Sequence, residues 1–229
     1  MKIAAIGCSF TNYIWPSYAD ILKADNYGLS GIGNERIWHV LCQLAKDDKL
    51  KLYDAVVVQW TSPFRFDYKT SKGWTHNDGA IALSQKNKFI WRSIKQWYNE
   101  SYEIEKSANY ILTAKAICNS YNVKNFHMSM TGDLANFVDL PNLKDSFRNR
   151  YEFTSAPWTD KPFKDGHPTI EDHIQIAKTI AKNIGCKLDE LLVDKCVNLH
   201  KQLLTGIDFS TAEKEYKSNF PYRYIATCL

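Results

Sequence analysis

The chain has 229 residues, with 45% hydrophobic and 24% charged side chains and a formal charge of +4. These proportions describe an ordinary globular domain with a sizeable core, and they exclude a disordered or collagen-like chain. The basic residues are scattered, so no phosphate-neutralising stripe for nucleic acid is expected.

Ile3-Ala4-Ala5-Ile6 is a short apolar run that reads as a buried strand, and Gly7-Cys8-Ser9-Phe10-Thr11 follows it. A Gly-x-Ser at the end of a first strand can present a serine hydroxyl at the carboxyl edge of a sheet, the glycine permitting a sharp exit. Residues 17–23 read as a helix and 25–29 as a short second strand. From Glu35 to Lys46, Ile37, Val40, Leu41 and Leu44 fall at i, i+3, i+4 and i+7, which predicts one apolar face of a helix. Ala55-Val56-Val57-Val58 is β-branched and buried on both faces, so the first 60 residues alternate strand and helix as a parallel α/β sheet requires.

Residues 64–84 carry polar loop signals, and helices are expected over about 86–98 and 101–120. Phe126, Met128 and Met130 alternate as in a strand, residues 131–168 read as an irregular connection, and helices are expected from Ile170 to Gly185 and from Leu188 to Leu203. The expected organisation is one α/β domain over 1–205, with a helical insertion at about 64–122, and a turn-rich tail over 206–229. The six cysteines are widely spaced without a Cys-x-x-Cys, so they read as free thiols in a reducing compartment, and no zinc site is expected. No apolar run approaches the ~18 residues of a membrane span, and too few residues precede Gly7 for a lipoprotein leader. A cytoplasmic protein is expected.

Three further segments carry chemistry. His167, in Asp165-Gly166-His167-Pro168, is a candidate base for a serine, and Asp165 stands two residues away to orient it. Asp-Gly and His-Pro are equally good turn formers. In Ser30-Gly31-Ile32-Gly33-Asn34-Glu35-Arg36, glycines before a helix leave backbone N–H groups bare for an anion, with Asn34 as the expected N-cap. Gln59-Trp60-Thr61-Ser62 follows the third strand, where Gln59, Thr61 and Ser62 are placed to donate into the crevice at the sheet's carboxyl edge.

Taken together, Gly7-Cys8-Ser9-Phe10-Thr11, Ser30-Gly31-x-Gly33-Asn34-x-Arg36-Ile37, Gln59-Trp60-Thr61-Ser62-Pro63-x-Arg65 and Asp165-Gly166-His167-Pro168 resemble the SGNH (GDSL-type) hydrolase superfamily, in a divergent branch met in bacteriophage and bacterial genomes. The resemblance implies a flavodoxin-like three-layer α/β/α fold and a serine esterase. Ser9 matches the nucleophile, His167 the general base, and the backbone N–H groups of Ser9 and Gly31 two oxyanion donors. The chain departs from the family in two places. The asparagine expected after the third strand is missing, leaving Asn34, Gln59 or Thr61 as the third donor. Asp165 stands one residue closer to His167 than the family spacing, leaving a Ser9–His167 dyad or an acid from elsewhere, such as Asp160, as alternatives. His173 matches a second histidine of this block and is expected to pack on its helix.

The expected activity is hydrolysis of a carboxylic ester without metal or organic cofactor, on a small-molecule or carbohydrate substrate such as an O-acetyl sugar, in the host cytoplasm or virion if phage-encoded. Two other readings remain: a binding or structural module on the same fold with catalysis lost, and a flavin or nucleotide site with Ser9 and Thr11 lining a phosphate loop.

Overall fold

The computed structural model describes residues 1–13, 15–71, 73–74, 92–93, 95–134, 137–141 and 167–205. Its sheet is built from β1 (Ile3–Ile6), β2 (Asp25–Asn26), β3 (Ala55–Trp60) and β6 (Lys124–Ser129), all parallel, in the order β2-β1-β3-β6. The chain is an α/β protein, as its strand–helix alternation predicts. A separate antiparallel pair, β4 (Lys69–Thr70) and β5 (Gly73–Trp74), lies within the stretch read as loop. Strands of two residues carry no period for a sequence pattern to show.

The strand order explains the layers. From β1 the chain steps outward to β2 through α1 (Tyr18–Ile21), then returns past β1 to β3 through α2 (Asn34–Lys46). It continues outward to β6 through α3 (Glu100–Ser120). Right-handed crossovers in opposite directions place their helices on opposite faces. The packing agrees: α2 lies against α3, whereas α1 lies against α4 (Ile170–Ile184), which also contacts α5 (Glu190–Leu204). This arrangement is consistent with three layers, and the reversal puts a crevice beyond the carboxyl ends of β1 and β3. Among the described residues no helix is long and apolar enough to cross a membrane.

Local chemistry sets the element ends. Ile37, Val40, Leu41 and Leu44 are buried on one face of α2, as their spacing predicts. Ser17 caps α1, with Asp20 accepting from the Ser17 N–H at 2.8 Å. Thr169 and Asp172 form the same reciprocal box at the start of α4, which ends at Gly185 in the left-handed region with φ 74°. The N-cap of α2 is Gly33 rather than Asn34. The missing side-chain cap comes from elsewhere: the Asp67 carboxylate accepts from Gly33 N–H at 2.7 Å and from Arg36 N–H at 2.8 Å. Burial raises the Asp67 carboxyl above its ordinary value despite these two bonds.

Two core histidines make stability pH-dependent. His173 on α4 is fully buried, its Nδ1 accepting from Tyr18 N–H at 3.2 Å, and His127 on β6 accepts through Nδ1 from the Trp60 indole at 3.1 Å. Among the described residues, neither Nε2 has a hydrogen-bond partner. Burial lowers both to about 3, helped by the charge of His167 on His173 and of Lys115 on His127. In the unfolded chain both protonate below about pH 6.5. The stability that they contribute is therefore complete above that pH and is lost as pH falls toward 3. Each histidine should lower the unfolding free energy by about 1.4 kcal/mol per pH unit within this window. Urea midpoints measured from about pH 7 to 5 should fall, and the fall should be shallower in His127→Gln; equal slopes in the two proteins would refute the assignment.

Candidate active site

The turn after β1 is shaped by what surrounds it. Thr11 and Asn12 N–H groups both donate to the Cys8 carbonyl, at 2.9 and 3.2 Å, closing one tight turn over Ser9 and Phe10. Gln59, at the end of β3, accepts through Oε1 from Cys8 N–H and the Cys8 thiol, both at 3.1 Å, and from the Thr11 hydroxyl at 3.4 Å. Its Nε2 donates to the Trp60 carbonyl at 2.6 Å. Gly7 is needed here for space rather than for a special dihedral. A Cβ at that position would meet the Thr11 hydroxyl, with Gln59 Cβ and Oε1 at 2.9 Å, and Gly7 is not among the positive-φ glycines.

His167 arrives from the far end of the chain, two residues before the N-cap of α4. Its Nε2 lies 2.8 Å from Ser9 Oγ, a separation of 158 residues in sequence. That distance is a direct hydrogen bond, the geometry a general base needs with a hydroxyl nucleophile. The imidazole stacks on Tyr13, with ring centroids 3.8 Å apart and planes 16° apart, and Phe10 leans against it at 5.5 Å. Trp15 meets Tyr13 edge-on and donates its indole N–H to the Pro168 carbonyl at 2.8 Å. Asp165 and Asp160, the two candidate acids, lie outside the described residues.

The second turn is stitched to the first. Leu29 N–H donates to the Gly7 carbonyl at 2.9 Å, and the Asn12 amide donates to the Gly28 carbonyl at 3.0 Å. Asn26 donates to the Thr11 carbonyl at 2.9 Å. A Cβ on Gly28 would come within 2.9 Å of Asn12, so the two loops touch through backbone. Gly31 then adopts φ 79°, a conformation that glycine takes without penalty. Among the described residues, neither Ser9 N–H nor Gly31 N–H has a hydrogen-bond acceptor. Both N–H groups are therefore free to donate.

The three residues considered for a further donor are placed differently. Asn34 pairs with the Thr61 backbone in both directions, accepting from its N–H at 2.8 Å and donating to its carbonyl at 3.1 Å. The same Nδ2 donates to the Ser107 hydroxyl of α3 at 3.1 Å, which uses both of its hydrogens. Gln59 meets the nucleophile turn as an acceptor, and the buried Thr61 hydroxyl faces the Met130 sulfur at 3.8 Å. Among the hydrogen bonds of the described residues, none joins any of the three to Ser9. Their evident work is to lock the end of β3 to α2, α3 and the Ser9 turn.

Thr11 is also fully buried, its hydroxyl 2.6 Å from that of Tyr18. A phosphate loop needs such a hydroxyl exposed, so this placement disfavours the flavin or nucleotide reading. Beside Phe10 of the Gly7–Thr11 motif, residues that sequence patterns do not single out complete the site: Tyr13 stacked on the imidazole, Trp15 edge-on to Tyr13, and Asp67 behind the Gly31–Gly33 loop. Only the aromatic richness of residues 10–15 hints at Tyr13 and Trp15. Compared with protein-family models, curated proteins and solved structures, the chain matches none of them.

Proposed function

We propose that the protein is a serine-dependent carboxylic ester hydrolase of the SGNH type, acting without a cofactor. One observation carries the reading: Ser9 Oγ and His167 Nε2, 158 residues apart, meet at 2.8 Å at the switch point of a parallel sheet. In the proposed reaction, His167 takes the Ser9 proton as the hydroxyl attacks the acyl carbonyl. The Ser9 and Gly31 N–H groups hold the oxygen as it becomes negative. His167 returns the proton to the departing alcohol, and water then releases the acid from the acyl-enzyme. The proposed substrate is an acetylated carbohydrate met in the cytoplasm or in a virion, supported by the resemblance and by an aromatic content of 14%.

The test is covalent. A fluorophosphonate probe should label the folded protein, peptide mapping should place the label on Ser9, and Ser9→Ala should stay unlabelled while hydrolysing p-nitrophenyl acetate no faster than background. A second reading, a binding module with catalysis lost, is favoured by one observation: Asn34 and Gln59 are committed to the scaffold, and the buried Thr61 hydroxyl faces the Met130 sulfur. A folded wild-type protein that resists the probe would decide for that module.

A further inference from the structure

We propose that Tyr13 is a positioning residue that sets the plane of the His167 imidazole, so that the turn bearing the nucleophile also seats its base. The inference rests on the esterase reading of the Ser9–His167 pair. The second side-chain torsion of histidine is broad and two-fold, so its own backbone does not define the ring plane. A base must nevertheless hold one nitrogen on line with the hydroxyl, because small misplacements are costly in rate. Tyr13 supplies the plane. Its ring lies flat against the imidazole at 3.8 Å and 16°, and turning the imidazole a quarter turn would destroy that contact.

Tyr13 is itself fixed. Trp15 packs edge-on against it at 4.4 Å and 79°, and the buried Trp15 indole holds the Pro168 carbonyl next to His167. Phe10 closes toward the imidazole at a 60° tilt. Residues 9, 10, 13 and 15 thus present the nucleophile, two aromatic walls and a backbone anchor from a single loop. The stacked tyrosine face also favours the positive charge that the imidazole acquires in each half-reaction, because an aromatic face attracts a cation.

The test measures kcat and KM for p-nitrophenyl acetate, together with fluorophosphonate labelling rates, in the full chain. Tyr13→Leu keeps bulk and removes the aromatic face; kcat and the labelling rate should fall about tenfold, with KM changing less than about twofold. Tyr13→Phe should restore both rates to within about threefold of wild type. In a His167→Ala background, Tyr13→Leu should add less than about a twofold loss, since it then has no ring to position. Wild-type rates in Tyr13→Leu would overturn the proposal. So would an undiminished effect in the His167→Ala background, which marks general scaffolding, or a Tyr13→Phe as impaired as Tyr13→Leu. If Tyr13→Leu fails to fold, Tyr13→Met provides the same comparison. A wild-type protein whose Ser9 is neither labelled nor needed for turnover overturns the esterase reading and this proposal together; the other failures overturn this proposal alone.

Discussion

Replacing His167 by Ala should lower kcat/KM for p-nitrophenyl acetate by on the order of 10⁴-fold and slow fluorophosphonate labelling of Ser9 comparably. A serine hydroxyl is a weak nucleophile near neutral pH, and the 2.8 Å contact with Nε2 provides the acceptor for its proton. The open Ser9 and Gly31 N–H groups remain in the variant, so a residue of activity above background should survive. Folding should be little affected. The backbone of this segment is held by the Trp15–Pro168 bond and the Thr169–Asp172 box, neither of which uses the imidazole. A His167→Ala protein with wild-type turnover and an unchanged Tm would remove the imidazole from the reaction, whereas lost turnover with a Tm lowered by more than about 10 °C would point to unfolding instead.

Gly7→Ala, one methyl added just after β1, should destabilise the fold strongly. The added carbon would meet the Thr11 hydroxyl, with two Gln59 atoms at 2.9 Å, inside a fully buried knot. Thr11 is held by Tyr18, and Gln59 is held by Cys8 and Trp60, so neither neighbour yields without breaking a buried hydrogen bond. Overpacking of this kind costs about 2–3 kcal/mol, or roughly 5–10 °C in Tm for a chain of this size. The same displacement would move the Ser9 turn away from His167, so labelling of Ser9 should fall more than stability does. A Gly7→Ala protein with wild-type Tm and labelling would show that the knot is looser than its distances imply.

How much of this was legible in the residues depends on the range of the interaction. β1, β3 and the apolar face of α2 follow from runs and spacings within a dozen residues, where period and burial are linked directly. Gly185 stops α4 for an equally local reason, its left-handed φ. Asn34 shows the limit. Its type and place suggest an N-cap, yet the carboxylate that caps α2 belongs to Asp67, 34 residues from Gly33, and Asn34 is left free to pair with Thr61. Gln59 shows another limit. An amide both donates and accepts, so residue type alone leaves its role open, and in the fold it turns its oxygen toward the Cys8 N–H. Ser9 and His167 stand out by type, whereas their 2.8 Å meeting is a property of the whole topology.

The Trp15–Pro168 bond sets an order of events. The four described strands of the main sheet are present once the chain reaches Ser129, while the carbonyl that Trp15 holds belongs to Pro168. Synthesis runs from the amino terminus, so a growing chain can pair β1, β2, β3 and β6 and close the Ser9 turn before the His167 imidazole is made. During that interval the hydroxyl is an ordinary alcohol beside an uncovered aromatic pair. The arrival of residues 167–169 then sets the His167 ring on Tyr13 and the Pro168 carbonyl on the Trp15 indole. On the proposed reading, a chain arrested before residue 167 carries the serine without its base.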